Sequence, residues 1–380
     1  VNSEVDMLKI GILKENYKAE KRVAMIPQFI KKLIELGYEV FLEKSAGENS
    51  FYNDSEYIKN EAKIVEKDVV FNCDVILKVS AFEKEEIEKI NGEKILITNM
   101  SLFSNLETVK IINSKKLTLL SLDLLPRISR AQTMDVLSSQ SNIAGYAAVM
   151  KACFIYPKVF PMMITAAGSI APAKVFVMGV GVAGLSAIST AKRLGAIVSA
   201  YDVRSQTKEQ VLSLGAKFLD INYKVQDENL VYAKEMDSEY KKFEEEAIIN
   251  HIKSQDVIIS SAMIMGKKAP ILINEKVFDN IKSGAVIIDM ASETGGNCIY
   301  TKDGVLEEKN GVFIWGGSKL ANDFPKDSSF MYSKNILNFI TYLTKESKIN
   351  LEDMNDEILN SVIVCKDGNF VSKMLKGVLI

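Results

Sequence analysis

Apolar and polar positions follow two periods in the first third of the chain. Short, β-branched apolar runs at residues 8–13, 39–42, 75–79, 95–98 and 117–122 read as strands. Between the first two, Phe29, Ile30, Leu33, Ile34 and Leu36 recur at helical spacing, and Gly37 ends the run. Further helices are expected at 83–90 and 106–113. Alternation of strand and helix at this interval predicts a mostly parallel sheet with helices on both faces.

The pattern breaks at Asp123-Leu124-Leu125-Pro126. A polar stretch, 127–142, leads into an expected small-residue helix at 143–152. A second alternating unit opens at Lys174, with strands expected at 175–178, 197–201, 257–260 and 286–289. Its charged insertion, about 222–246, reads as a mobile loop running into a surface helix. From about Phe330, a helical pattern through Ile336, Leu337, Phe339, Ile340 and Leu343 leads out again. The tail, 350–380, is too small to fold alone and is expected to pack back on the first domain. The expected fold class is therefore α/β, with two Rossmann-like domains separated by a cleft. Residues 1–126 plus 345–380 would form a discontinuous first domain and 127–344 the second.

Composition narrows this picture. A chain of 380 residues, 47% apolar, exceeds one ordinary domain and can fill two cores. A net charge of −2 gives no reason to expect nucleic acid or an anionic membrane surface as a partner. The four cysteines form no CxxC pair and read as buried, reduced thiols. With His251 the single histidine, a structural zinc site is not expected. The longest uncharged run, 175–191, carries three glycines plus Ser186, Ser189 and Thr190, so it reads as a buried strand–turn–helix and not a transmembrane segment. Val1-Asn2-Ser3 shows no signal-peptide pattern and fits a processed or trimmed product.

Residues 174–202, KVFVMGVGVAGLSAISTAKRLGAIVSAYD, carry the main candidate chemistry. A β-branched run enters Gly179-x-Gly181-x-x-Gly184, a helix follows, and a second strand ends at Asp202. Gly179 permits a tight turn, Gly181 lets backbone approach a diphosphate, and Gly184 lets helix lie close on sheet. The helix N-terminus offers free N–H groups to the diphosphate. Asp202 can accept hydrogen bonds from ribose hydroxyls and would repel a 2′-phosphate, which favours NAD(H), although Arg204 nearby weakens that preference.

A dehydrogenase acting on an alcohol or amine must also move a proton. His251 reads as an exposed surface histidine, while Lys78 or Glu293 could serve as proton carriers. Hydride transfer between two nicotinamides has no such requirement; the protein need only hold the rings together and exclude water. A nucleotide sensor that biases a partner is a third, non-enzymatic reading.

The segment PRISRAQTMDVLSSQSNIAGYAAV (126–149) resembles the signature loop of the NAD(H)-binding domain of proton-translocating NAD(P) transhydrogenases. KIGILKENYKAEKRVAMIP, AAGSIAPAKVFVMGVGVAGLSAISTAKRLGA, VYAKEM (231–236) and DMASETGGN (289–297) match the same family. The first two of these are shared with alanine dehydrogenases. The resemblance implies that Arg127, Gln132, Asp135 and Ser138 grip the nicotinamide end of NAD(H), with Asp135 fixing Arg127 by an ion pair. It implies nucleotide contacts from Gly179, Gly181, Val182, Ala183 and Gly184, from Asp202, Val203 and Arg204, from Tyr232 on a closing loop, and from Ala262 and Met263. Val231 stands where that loop usually has glycine, and Ser260, Ser261 and Met265 replace threonines and a proline.

The implied activity is hydride transfer from NADH on this chain to NADP+ on an NADP(H)-binding partner domain, coupled to proton movement through a membrane domain. The implied assembly is a homodimer, peripheral on the cytoplasmic face of an inner membrane or on a mitochondrial matrix face. The chain would be a separate subunit or a piece of a longer polypeptide. Alanine dehydrogenase is the alternative: Arg22 and Lys78 match its substrate-holding positions, but Ser101 stands where its catalytic histidine would be. On the transhydrogenase reading, Arg22 and Lys78 are inherited structure, for example an ion pair.

Overall fold

The computed structural model describes residues 7–16, 20–221, 233–264, 266–353, 355–372 and 375, with 233–240 described for their backbone only. By contacts it divides into Val1–Gln140 with Phe324–Ile380, and Ser141–Asp323. The first unit is discontinuous, as the sequence implied, but its borders lie elsewhere. Residues 127–140 and 324–344 fall to the first unit because the helix Pro325–Leu343 buries Tyr332, Ile336, Leu337, Phe339 and Ile340 in that unit's core, beside Ala131, Met134 and Val136.

The sheet of the first unit runs in the order Lys63–Val65, Tyr38–Glu43, Leu8–Ile12, Val75–Leu77, Ile95–Thr98, Thr118–Ser121, Ile363–Lys366, Asn369–Phe370. The first six strands are mutually parallel; the last two are antiparallel additions from the tail. Both faces are covered. Ile10, Ile12, Leu77, Ile97 and Leu120 point into one core, and Ile76, Leu96 and Leu119 into the other. Burial on both faces explains why these strands read as unbroken apolar runs, not as alternation. The helix Pro27–Glu35 starts on a proline, which needs no N–H at that position, and is followed by Gly37 at φ +95°.

The second unit carries the sheet order Lys217–Phe218, Ile197–Tyr201, Lys174–Met178, Val257–Ser260, Val286–Asp289, Val312–Gly316, Leu306–Lys309. All neighbours are parallel except the final edge strand. Chain order runs outward in one direction from Lys174–Met178 and in the other from Val257–Ser260. The switch point therefore lies between these two strands, and the crevice at their carboxyl ends is where such sheets bind ligands.

Three expectations are corrected. The small-residue helix spans Val136–Ile155 and begins earlier than 143, because the Asp135 carboxylate accepts from Ser138 N–H (2.9 Å) and Oγ (2.5 Å) and caps it. Gly145 on that helix lies close on the next one: a Cβ there would meet Ala183 O at 2.1 Å. The charged insertion becomes the helix Ala233–Ile252 over its described part, while 222–232 lies outside the described residues. Finally, Cys153 is half-buried, whereas Cys73, Cys298 and Cys365 are buried; all four are free thiols, each raised well above the ordinary range by burial, Cys153 and Cys298 to about 11 and Cys73 and Cys365 to about 12.

Candidate functional site

The strand Lys174–Met178 delivers the chain to Gly179, which sits at φ +96°, a conformation that penalises any side chain. Gly181 caps the helix Val182–Arg193, and a Cβ added to it meets nothing within 4 Å. A Cβ on Gly184 would lie 2.0 Å from Gly179 O. The three glycines thus divide their tasks as the spacing predicted: turn, open approach, and tight helix contact. Free N–H groups at the start of a 12-residue helix, with open space before them, fit a diphosphate. Val182 is exposed at this end and Ala183 is buried.

Asp202 follows the neighbouring strand and is buried. Its Oδ2 accepts from Val180 N–H (2.7 Å) and Arg204 Nη2 (3.0 Å), and its Oδ1 from Arg204 N–H and Nε, both 2.9 Å. Burial pushes this carboxyl up, but the hydrogen bonds from Arg204 and Val180 outweigh it and hold the group below the ordinary aspartate range. It is therefore an anion that ties the second strand to the glycine turn. With roughly four lone-pair positions on a carboxylate, a ribose hydroxyl would have to take over a place that Arg204 now fills. Val203 beside it is exposed.

Across the switch point, Ser261 Oγ donates to Gly179 O at 3.1 Å. Ala262 is half-buried and Met263 exposed at the same strand end. Tyr232, and the Val231 and Met265 departures, lie outside the described residues.

In the first unit, Arg127 and Gln132 are exposed on the turn region leading to Asp135. Arg127 and Asp135 make no ion pair; the carboxylate is engaged by Ser138 instead, because it is the cap of the following helix. Arg22 and Lys78 do not pair with each other either. Arg22 lies against Glu20 through Nε and Nη2 (2.7 Å each) and against Gln140 Oε1 through Nη1 (2.7 Å). Lys78, fully buried, donates to Glu86 Oε2 at 2.6 Å and to Ala81 O at 3.3 Å. Both cations are thus neutralised by carboxylates of this chain. Ser101 is exposed at φ 49°, its N–H on Asp123 Oδ2 at 3.2 Å.

His251 is half-buried rather than exposed. Its Nε2 lies 2.7 Å from Ser199 Oγ, and its ring meets Phe176 edge-on at 4.7 Å. Sequence reasoning does not single out Asp289 and Asn297. Both are fully buried and both organise the 289–298 turn. The motif DMASETGGN brackets them, yet only their three-dimensional partners reveal a role.

A fold of this kind with a glycine turn at its switch point defines a two-unit dinucleotide-binding protein. The chain belongs to the alanine dehydrogenase/PNT family, whose N-terminal domain matches residues 11–144 and whose C-terminal domain matches residues 148–373. Within that family it is 41% identical to the first portion of NAD(P) transhydrogenase subunit alpha of Rhodospirillum rubrum, a separate chain there, over 97% of this chain and 99% of that one. It is 42% identical to the protein of the same name from Rickettsia prowazekii, over 97% of each. The crystal structure of transhydrogenase from Sinorhizobium meliloti superposes with a TM-score of 0.85 at 37% identity, covering 96% of this chain and 99% of that one. Alanine dehydrogenases of Staphylococcus saprophyticus and Methanococcus maripaludis are each 26% identical.

Proposed function

We propose that this chain is the NAD(H)-binding component of a proton-translocating NAD(P) transhydrogenase, holding NADH for direct hydride transfer to NADP+ on a partner domain. The observation that carries the reading is the glycine turn at the switch point: Gly179 at positive φ, Gly181 with open space before it, and buried Asp202 closing the turn through Val180 N–H. The near full-length similarity to transhydrogenase alpha subunits supports the choice of reaction.

Bound NADH supplies the hydride. The chain's own residues bind and orient. The helix N-terminus at Val182 takes the diphosphate, with Ala183 packing beneath it, and Asp202, Val203, Arg204, Ala262 and Met263 attend the adenosine end, with Tyr232 on the closing loop. Arg127 and Gln132 donate to the nicotinamide carboxamide, while Asp135 and Ser138 fix the helix entrance on which that segment is mounted. No general acid or base is required, since no proton moves at the reacting carbons.

The exposed hairpin Met163–Thr165 with Gly168–Ile170 carries Met163, Ile164 and Ile170 outward, and Phe154 is 89% exposed. These apolar side chains support a homodimer in the working assembly. No helix among the described residues is long and apolar enough to cross a membrane. On this reading, proton movement belongs to a membrane domain against which this chain is peripheral, on the cytoplasmic or matrix face.

The test is NADH fluorescence titration of the chain, then addition of a purified NADP(H)-binding transhydrogenase domain. NADH binding without turnover, followed by rapid hydride exchange on mixing, is expected. Gln132→Ala should slow exchange far more than it weakens binding, because its task is orientation. Turnover of pyruvate and ammonia by the chain alone would instead establish an alanine dehydrogenase, against the occupied state of Arg22 and Lys78.

A further inference from the structure

The strand-end segment beside the glycine turn is held by one side chain. Asn297 is fully buried. Its Nδ2 donates to Ala262 O and to Pro270 O, both at 2.8 Å, and its Oδ1 accepts from Ala262 N–H at 3.1 Å. One carboxamide therefore grips both backbone polar groups of Ala262. Aspartate would lack the donors, and glutamine would be a methylene too long.

The grip is anchored from behind. The buried Asp289 carboxylate accepts from Asn297 N–H (2.7 Å), Cys298 N–H (3.0 Å), Thr301 Oγ1 (2.7 Å) and Ala291 N–H (3.0 Å). Gly296, at φ +82°, admits this carboxylate where a Cβ would lie 2.8 Å from Oδ2. In front, Ser261 Oγ bonds Gly179 O at 3.1 Å, and a Cβ on Gly179 would lie 3.0 Å from Ala262 N. The chain of contacts Asp289, Asn297, Ala262 thus ends against the first glycine of the turn.

We propose that Asn297 is a positioning residue of the dinucleotide site. Through Ala262 it sets the spacing between the 261–262 wall and the Gly179 turn, without itself reaching the ligand. This rests on the NAD(H)-binding reading above. A residue that only stabilised the fold would leave the affinity of folded protein unchanged; a positioning residue alters it.

Asn297→Asp separates the two. It keeps the size and the acceptor toward Ala262 N–H, but turns an oxygen toward two carbonyls. Protonation of the introduced carboxyl restores one of the lost hydrogen bonds. Affinity for NADH, and for ADP-ribose as the adenosine-diphosphate half alone, should fall about tenfold near pH 8 and recover as pH is lowered toward about 5.5, while the unsubstituted protein changes little. Asn297→Ala should lose affinity similarly with no recovery. Titrations are made well below the thermal midpoint of each variant, which is recorded alongside. Lowered midpoints with unchanged affinities at both pH values would overturn the proposal alone. Failure of the unsubstituted protein to bind either ligand would overturn the NAD(H) reading, and the proposal with it. If Asn297→Ala does not fold, the pH profile of Asn297→Asp decides.

Discussion

His251 shows how little a residue's local sequence says about its surroundings. Among Asn250, Lys253 and the acidic residues of its helix it reads as solvated. In the fold its ring sits on Phe176, with Ser199 Oγ at Nε2. Burial, with Lys174 nearby, lowers its pKa below the ordinary 6.5. A histidine whose folded pKa is depressed favours folding while neutral. Its contribution is full above the unfolded value and is lost as pH falls from there through the folded one. The unsubstituted protein should therefore lose more thermal stability than His251→Gln on going from about pH 7.5 to about pH 5.5. Parallel melting curves across that interval would show that the ring does not titrate in it. Asp202 makes the complementary point: expected as a ribose partner, it is first of all the bond that ties a strand to the glycine turn.

At the scale of the element, the strand–turn–helix 174–193 joins stability and binding in one short segment, and its glycines separate them. Gly184→Ala places a Cβ 2.0 Å from Gly179 O, so helix and turn must move apart. Overpacking of this kind typically costs about 1–3 kcal/mol, and both melting temperature and NADH affinity should fall. Gly181→Ala is different. Its Cβ meets nothing and the residue lies at φ −85°, so the fold should keep its melting temperature. The added methyl occupies the space proposed for the diphosphate, and NADH binding should drop at least about tenfold. Differential scanning fluorimetry and NADH titration of the two variants check this; a Gly181→Ala protein that binds normally would move the diphosphate elsewhere.

On the scale of the whole molecule, the first unit is completed by residues more than two hundred positions away. Ile363–Lys366 pairs antiparallel with Thr118–Ser121, and Ile363, Val364 and Cys365 are fully buried. Burying each such aliphatic side chain contributes roughly 1.5–3 kcal/mol, so removing this strand forfeits an amount comparable with the ~5–15 kcal/mol that hold a domain together. Truncation after Val362 should leave the first unit unfolded or melting far lower, as read by circular dichroism and limited proteolysis. The same unit shows why its own switch point, between Leu8–Ile12 and Val75–Leu77, differs from that of the second. There the Glu15 carboxylate accepts from Val79 N–H (2.5 Å) and Ser80 Oγ, and Lys78 pairs with Glu86. Groups of the chain itself fill the positions that an anionic ligand would need.

Sequence alone dictated the parallel strands of both units, because strands buried on two faces must be apolar throughout and so stand out at single-chain level. It also dictated the glycine turn, since only glycine satisfies a positive φ, an open approach and a sub-van der Waals helix contact at that spacing. Folding in three dimensions settled the rest. Short elements such as Asp54–Lys59, Lys63–Val65 and the 163–170 hairpin carry too few residues for a period to register. The partners of Arg22, Lys78, Asp135 and His251 depended on which side chains the packing brought near. Asn297 was visible within a motif, but its grip on Ala262 joins residues 35 apart, and only folding places one against the other.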